Sequence, residues 1–517
     1  MPPGGGRSAA IGHDSRTATI SDMNAAPDRL VQPVESMSPA AIHETHTGLV
    51  VLAGDRAYKV KKPVVTDFLN FAGTEAREYV CQREVSLNRR LAASSYLGVA
   101  HLVGLSDGPG EPVIVMRRHP DALCLATLVT GGRPVEADLD AIADLLARFH
   151  RAADRSHLID MCATVDAVTD RWRENLAELR THTADILPAG GVAELERLVD
   201  QFVSGRGDLF AQRIEAHRVI DGHGDLQASD IYCLPDGPAL LDCLEFDDRL
   251  RFLDGIDDAA FLAMDLEFLG RKDLGDRFLD QYRRAADDRA PPALIHFYIA
   301  YRAAVRAKVD CIRVTQGRPE ARDDARAHQD IALAHLRLGT VRLIIVGGGP
   351  GTGKSTLSQS LARDIEAQVL STDDIRRELH QGGLIGGPAG TLQAGLYTPE
   401  NVDRVYDEVC RRAKELLAGG HTVILDGTWR DPRHRRSAHE VADDLSVPVV
   451  EFVCTTTLDE AERRIAGRGP TSSDATAEMA APLTPDLDDW VGAHRMDTSR
   501  PLSDSIAEAK QICCVGI

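Results

Sequence analysis

The sequence feature that most constrains this chain is a glycine-rich stretch at residues 348–355, which fits the pattern GxxxxGK[ST]. The apolar segment RLIIV precedes it and a helical pattern follows, so it is predicted to join a buried strand to a helix. Its glycines would let backbone N–H groups and the helix N-terminus surround phosphate oxygens, with Lys354 on the phosphates and Ser355 on Mg²⁺. The predicted nucleotide-binding residues are Gly348, Gly349, Pro350, Gly351, Thr352, Gly353, Lys354, Ser355 and Thr356. The alternative, a glycine-rich turn that matches by chance, is disfavoured by the flanking strand and helix.

The residues around this loop alternate between strand and helix patterns. Strands are predicted at RLIIV, QVLS, HTVILD and VPVVEFVC, with helices after the first and the second. This alternation is typical of a parallel α/β sheet with crossover helices. Gly339 is predicted to stop the preceding helix, so a P-loop NTPase domain is expected over residues 339–517.

Two acidic residues follow strands of this predicted sheet. Asp373 comes just after QVLS, and phosphoryl transfer to a hydroxyl needs a carboxylate that accepts the proton. Arg376, one turn later, would orient Asp373 or bind a substrate anion. Asp426 ends the strand VIL, where a carboxylate would hold Mg²⁺. Capping of a helix N-terminus is the alternative role for both acidic residues.

Two arginines near residue 465 have the spacing of one helical turn. Arg464 and Arg468 would form a closing lid that neutralises charge in the transition state. A solvated charged helix face is the alternative interpretation.

The stretches GGPGTGKST, STDDIRREL, VILDGTW and ERRIAGR together resemble the small P-loop kinases of the polynucleotide kinase, zeta toxin and gluconate kinase type. The resemblance covers essentially all of residues 341–517. It implies transfer of a phosphoryl group from ATP to a hydroxyl. It leaves the acceptor open, because these relatives phosphorylate nucleic acid ends, sugars, nucleotide sugars and drugs.

The N-terminal half has a different pattern of elements. A hairpin of LVVL and AYKVKK, a helix over 75–92 and a strand over 111–118 are predicted, followed by mainly helical segments at 138–215 and 256–337. The order indicates an α+β fold in which a small strand-rich lobe precedes a helical one. Residues 1–38 are predicted to be a flexible tail.

A second set of catalytic candidates lies in this half. HGDLQASD places Asp225 as a proton acceptor, with Asp230 five residues later and Asp242 after the next strand as Mg²⁺ ligands. Lys59 is predicted to contact nucleotide phosphates and to pair with Glu84, and Lys61 shares its strand face.

These segments resemble the aminoglycoside phosphotransferase and choline kinase-like families through HGDLQASDIY, LLDCLEFDD, AYKVKK and REVSLNRRL, across residues 39–335. The resemblance implies a bilobed, α+β kinase-like domain over residues 39–338. Asp230 stands where those families have Asn, and no GxGxxG covers the phosphates. A degenerate, inactive kinase fold is therefore the alternative.

Further charged residues of this half are left with two interpretations. Arg302 and Arg306 lie one helical turn apart, and acidic residues crowd the segment that follows the HGD motif. Either set would line a substrate pocket or have a structural role. The acidic residues are Asp254, Asp257, Asp258 and Asp265.

Composition limits the partners and the compartment. A net charge of −20 disfavours nucleic acid as a partner, and ten scattered cysteines without a CxxC pair indicate reduced thiols and a cytoplasmic location. No apolar stretch approaches the roughly 20 residues that span a membrane. The sequence thus predicts a tandem kinase that uses Mg²⁺ and ATP to phosphorylate a small hydroxyl-bearing acceptor such as an aminoglycoside, sugar or amino alcohol. An ATP-binding regulatory protein with a degenerate first domain is the second prediction, and a nucleic acid end kinase the third.

Overall fold

The computed structural model describes residues 41–44, 48–64, 71–104, 110–388, 394–467 and 490–515. The chain divides into two compact units. The first contains the residues up to 135 together with 228–248, and the second contains 136–227 and 249–517. The predicted tail, residues 1–38, lies outside the described residues. The domain boundaries at 38/39 and 338/339 stay predictions.

The first unit is built on an antiparallel five-stranded sheet of order β1-β2-β3-β5-β4. Helix α1 packs against this sheet through Cys81 and Val85. The predicted hairpin, helix and strand are present, whereas β1 and β4 were not predicted. Strand β4 escaped prediction because its exposure does not alternate, and Gly98 interrupts its apolar residues. The elements are β1 (Ala41–Glu44), β2 (Gly48–Ala53), β3 (Arg56–Lys61), α1 (Thr74–Ala92), β4 (Tyr96–Leu102), β5 (Glu111–Arg117) and α2 (Leu125–Thr130).

The second unit begins with helices, and the chain returns to the first unit only for the short hairpin of β7 and β8. The elements from 136 to 254 are α3 (Glu136–Ala152), α4 (His157–Met161), α5 (Val165–Thr181), α6 (Ala189–Ser204), α7 (Gly207–Glu215), β6 (Val219–Asp221), β7 (Ile231–Tyr232), β8 (Ala239–Leu240) and β9 (Phe252–Asp254). Four helices follow, α8 (Gly255–Phe268), α9 (Lys272–Ala286), α10 (Pro292–Thr315) and α11 (Ala321–Leu338). Helix α11 ends at the predicted stop, with Gly339 as its C-cap.

A parallel five-stranded sheet of order β11-β12-β10-β13-β14 occupies the rest of the second unit. Its central strand is completely buried, and all five strands end at one edge. The elements are β10 (Leu343–Gly347), α12 (Lys354–Asp364), β11 (Gln368–Ser371), α13 (Thr372–Gln381), α14 (Pro399–Ala418), β12 (Val423–Asp426), α15 (Pro432–Asp444), β13 (Val449–Thr455), α16 (Leu458–Ala466), β14 (His494–Asp497) and α17 (Leu502–Val515).

The predicted fold class is confirmed. The N-terminal region is an α+β fold, and the C-terminal sheet with its flanking helices is typical of P-loop NTPase domains. Helix α15 and strand β14 were not predicted, because α15 is mostly polar and β14 has only four residues, of which Met496 alone is buried. Within the described part of the chain, no helix combines the length and apolar character needed to cross a membrane.

Candidate active sites

The phosphate-binding loop joins β10 to α12, as the sequence predicts. Gly351 has a φ of +77°, and a Cβ there would lie 2.5 Å from the Ala461 carbonyl oxygen, so only glycine fits. The Thr352 hydroxyl donates a hydrogen bond to the Gly349 carbonyl at 2.8 Å, which holds the loop in a tight curve. Helix α12 therefore begins directly behind the loop, with its N-terminal N–H groups available to an anion.

Lys354, Ser355 and Asp426 come together beside this loop. The Lys354 ammonium donates to the Gly349 carbonyl at 3.1 Å, and the Ser355 hydroxyl lies beside the Asp426 carboxylate, where it lowers the pKa of that group. Asp426 is only 5% exposed, and its Oδ1 atom has no hydrogen-bond partner among the described residues. Burial raises the pKa of Asp426, and the nearby Asp373 adds to this, whereas Lys354 and Ser355 oppose it. A buried carboxylate oxygen without a protein partner costs stability unless a ligand binds it.

This pair of residues fits a magnesium ion. Mg²⁺ prefers oxygen ligands, and Asp426 offers a buried oxygen beside the Ser355 hydroxyl. The alternative role of Asp426 as a helix cap is wrong, because the following helix α15 is capped by Asp431. The partial charge on the N-terminus of α15 is thus satisfied without Asp426.

Asp373 lies in the first turn of α13, next to the same sheet edge. Its Oδ1 accepts a hydrogen bond of 2.6 Å from Arg376, whose buried guanidinium also stacks on the Tyr397 ring at 4.6 Å. The capping alternative for Asp373 is wrong, because the Ser371 side chain caps α13. Asp373 is therefore an oriented, partly exposed carboxylate near the phosphate-binding loop.

Arg464, on α16, contacts the segment that follows β14. Its guanidinium donates to the Thr498 carbonyl at 2.9 Å and to Glu460 at 2.6 Å. The Thr498 hydroxyl in turn donates to the Thr352 carbonyl at 2.7 Å. Arg464 is thus held against the phosphate-binding loop and does not belong to a solvated charged face. Arg468 lies outside the described residues.

The first unit holds a cluster of alternating charges on β3, α1 and the segment after β8. The Lys59 ammonium lies 2.8 Å from Glu84 and 2.5 Å from Asp242, and Lys61 lies 2.6 Å from the other oxygen of Glu84 and also contacts Glu245. Burial lowers the pKa of Lys59, but the carboxylates of Asp242, Glu84 and Glu245 outweigh it and raise the pKa well above its usual range. The predicted pair of Lys59 and Glu84 is present, and its role in nucleotide binding stays a prediction.

Asp230 and Asp242 lie at the same end of the β7–β8 hairpin. The Leu241 N–H donates to the Asp230 carbonyl at 2.9 Å, so the hairpin brings the two proposed metal ligands into neighbouring positions. Asp242 has a φ of +65°, a conformation that costs energy for a residue with a side chain. Its N–H donates to the Tyr96 hydroxyl at 3.3 Å. Strained backbone of this kind is often found at functional sites.

Asp225 belongs to the second unit, in the loop that carries His223 and Gly224. The buried carboxylate of Asp258 accepts hydrogen bonds from the backbone N–H groups of both residues, at 2.7 and 2.9 Å. Arg302 donates to the Gly224 carbonyl at 3.1 Å. Gln227 donates to the Asp225 carboxylate at 2.9 Å. The loop is therefore firmly positioned, with Asp225 only partly buried.

Most of the charged residues for which the sequence allowed either a pocket or a structural role have structural contacts. Arg302 pairs with Asp257 at 2.7 Å, and Asp254 pairs with Arg213 and caps α8. Asp258 holds the Asp225 loop, as described above. The structural interpretation therefore holds for these four predicted residues. The roles of Arg306 and Asp265 stay predictions.

The C-terminal sheet and the whole chain both match known proteins. The family described as AAA domain matches residues 343–482, which include the phosphate-binding loop. The uncharacterized protein Rv2004c of Mycobacterium tuberculosis (strain H37Rv) is 55% identical over 471 residues, which are 91% of this chain and 95% of that protein. The chain belongs to the family of this mycobacterial protein.

Two solved structures each match a part of this chain. A choline/ethanolamine kinase family protein from Mesorhizobium loti covers 58% of this chain and 93% of its own, with 17% identity and a TM-score of 0.35. The APS kinase CysC of Mycobacterium tuberculosis covers 34% of this chain and 97% of its own, with 18% identity and a TM-score of 0.25.

Two residues of these sites were not predicted from the sequence. Thr498 contacts the phosphate-binding loop from 146 positions along the chain, and no local pattern marks it. Glu245 was quoted within LLDCLEFDD but was given no role. The only sequence signal for its contact was the position of Lys61 on the strand face of Lys59.

Proposed function

We propose that this chain is an ATP- and Mg²⁺-dependent phosphotransferase that phosphorylates a hydroxyl group of a small molecule. One observation carries the proposal: Asp426 and Ser355 offer a buried, incompletely satisfied oxygen site directly beside Lys354 and the phosphate-binding loop. A site that only capped a helix or bound a structural anion would not need this carboxylate. The P-loop domain is of the polynucleotide kinase, zeta toxin and gluconate kinase type, and the N-terminal domain is of the aminoglycoside phosphotransferase type.

Each residue of the P-loop site has one part in the reaction. The loop N–H groups and Lys354 bind the phosphates, and Arg464 neutralises charge that develops on the transferred group. Asp373 accepts the proton of the acceptor hydroxyl, and Arg376 keeps its carboxylate in position. Mg²⁺, held by Ser355 and Asp426, would supply charge neutralisation for the phosphate oxygens. Arg468, in the lid sequence, would assist Arg464.

The N-terminal domain would use a second set of residues for the same chemistry. Asp225 would be the proton acceptor, Asp230 and Asp242 the metal ligands, and Lys59 with Glu84 the phosphate contact. A regulatory role of this domain is the second candidate. It is favoured by the ion pair of 2.5 Å between Lys59 and Asp242, because a nucleotide would have to replace it.

The acceptor is a small molecule of the aminoglycoside, sugar or amino alcohol class, and the location is cytoplasmic. Nucleic acid is disfavoured because a net charge of −20 repels phosphodiester backbones. Nucleic acid binding that weakens steeply as the salt concentration rises would instead support a nucleic acid end kinase.

The experiment is acceptor-dependent release of ADP across a panel of aminoglycosides, sugars, amino alcohols and nucleotides. Wild type, Lys354→Ala and Asp225→Ala are compared, with Lys414→Ala as the matched control because Lys414 is an exposed lysine paired with Asp444. We expect Lys354→Ala to lower turnover by roughly 10²–10³-fold and Lys414→Ala to leave it unchanged.

The variants also tell which domain is active. If Asp225→Ala alone abolishes turnover, the N-terminal domain carries the activity. If no acceptor stimulates ADP release while ATP still binds through Lys354, the regulatory candidate replaces the kinase.

A further inference from the structure

A cavity of about 280 Å³ lies in the second unit, where α3, α7 and α9 end. Its lining includes Arg151, Arg155 and Arg218, together with His217. These three guanidinium groups concentrate positive charge at one cavity of a chain that carries 20 excess negative charges. Within the described ranges, none of the three lies within ion-pair distance of a carboxylate. Asp288 also lines the cavity; it pairs with Arg213, and Arg218 helps to lower its pKa.

Capping of helix C-termini explains part of this arrangement. Arg155 donates to four carbonyls, those of His150, Arg151, Ala153 and His217, and Arg218 donates to the carbonyls of Ala286 and Asp287. Such contacts are a common use of arginine at the end of a helix. They do not use all the donors. A guanidinium carries five N–H groups, and among the described residues Arg151 donates one hydrogen bond, to the Ala285 carbonyl.

The inner wall of the cavity is connected to the loop that carries Asp225. His150 and Tyr282 line the cavity and hydrogen-bond each other at 2.8 Å. The other ring nitrogen of His150 lies 3.0 Å from Asp258, the carboxylate that holds the N–H groups of His223 and Gly224. Gly255 allows the close approach of this pair, because a Cβ there would lie 2.8 Å from the Tyr282 hydroxyl.

We propose that this cavity binds a small anionic metabolite carrying a phosphate or carboxylate group, and that binding adjusts the position of the Asp225 loop. The arginine N–H groups that capping leaves unused bind the anion, since a guanidinium matches both groups with two parallel hydrogen bonds. The bound anion contacts His150 and Tyr282 and thereby changes the position of Asp258, which is hydrogen-bonded to His150. The anion site is separate from the nucleotide sites. The proposal does not depend on turnover of a substrate by the N-terminal domain.

The test uses the full chain with saturating Mg²⁺ and ADP, so that the phosphate-binding loop is occupied. Inorganic phosphate or succinate is titrated at constant ionic strength, with sodium chloride as the reference salt. We expect at least one of the two anions to raise Tm, and to slow amide hydrogen exchange at His223 and Gly224, at millimolar concentrations. Arg151→Gln and Arg218→Gln should each weaken this apparent affinity about tenfold.

Two further variants separate anion binding from stability. Arg326→Gln is the matched control, since Arg326 is exposed like Arg151 and donates to a backbone carbonyl, that of Ile186. It should lower Tm no more than the cavity variants do and leave the anion affinity unchanged. Arg151→Glu reverses the charge at an exposed position and should abolish the anion response. The proposal is overturned if neither anion acts differently from chloride, or if Arg151→Glu responds like the wild type.

Discussion

Lys354 in the P-loop site and Lys59 in the first unit have the same predicted task, to bind phosphate, but opposite surroundings. Lys354 donates to a backbone carbonyl and lies beside Asp426, whose buried Oδ1 has no partner in the described part of the chain. Lys59 lies between the carboxylates of Glu84 and Asp242. A nucleotide with its metal would add missing partners at the first site and would replace existing ones at the second.

The difference teaches that an ion-pair network and a binding site are not equivalent, even where the same residue types occur. The cluster of Lys59, Lys61, Glu84, Asp242 and Glu245 already neutralises most of its own charge. The P-loop site leaves a cation and a carboxylate that a ligand would complete, so little reorganisation accompanies binding. We therefore expect substitutions at the P-loop site to change mainly activity, and loss of the ion pairs of Lys61 to change mainly stability.

The largest effect is expected for Asp373→Asn. Removing the proton acceptor should lower kcat about 10³-fold with nucleotide affinity nearly unchanged. Asp374→Asn is the control, since Asp374 is an exposed neighbour on the same helix. The measurement is steady-state ADP release with the best acceptor. Equal activity of the two variants would mean that Asp373 only positions Arg376.

Lys61→Ala should have the largest effect on stability. Lys61 is 2% exposed, and its loss leaves Glu84 and Glu245 without their shared cation, which should cost about 3 kcal/mol. Lys62→Ala removes an exposed pair with Glu44 and should change the free energy of unfolding little. Urea denaturation gives the size of the loss, and amide exchange in α1 locates it. A stability like that of wild type would contradict the structural role of the cluster.

Arg464→Gln should lower kcat about 100-fold with little change in unfolding temperature, because its guanidinium is held against the loop by Thr498. The neighbouring Arg463, which contacts only Glu460 among the described residues, supplies the control Arg463→Gln. Single-turnover phosphoryl transfer is the measurement. If both substitutions have the same small effect, the lid assignment fails.

Asp426→Asn should have the smallest of these effects on the free protein. It should raise the stability of the free protein slightly and weaken the binding of Mg²⁺ and ATP. Burial, above all, raises the pKa of Asp426 above its ordinary value of 3.8, so its negative charge destabilises the fold at neutral pH and has no such effect below pH 3.8. The amide should therefore stabilise the free protein by about 1 kcal/mol at pH 7, and this gain should vanish as the solution is acidified.

In the presence of Mg²⁺ and ATP, the wild type should become more stable than the Asp426→Asn variant. The variant should lose most of the stabilisation that the ligand gives the wild type, because a metal ligand is missing. Thermal unfolding at pH 4 and pH 7, with and without Mg²⁺ and ATP, tests both signs. An unchanged ligand-induced rise in Tm would rule Asp426 out as a metal ligand.

The amino-acid sequence alone predicted the features that depend on the local conformation of the backbone. The contiguous stretch 348–355 fixes a loop between strand and helix, because its glycines permit a curve that other residues forbid, as at Gly351. Alternation in AYKVKK put Lys59 and Lys61 on one strand face, and the kinase-like order of the segments suggested Glu84 as the partner of Lys59. In each case the informative residues are close together or have a regular spacing.

Only the tertiary structure decided which distant residues meet. Thr498 reaches Thr352 because β14 pairs with β13 at the edge of the sheet, and four residues of strand give almost no periodic signal. Packing likewise turned Asp257, Asp258 and Arg302 from pocket candidates into supports of the Asp225 loop. Sequence determines local conformation through backbone preferences and periodicity, whereas the burial and pairing of a charge depend on elements that fold against each other from far along the chain.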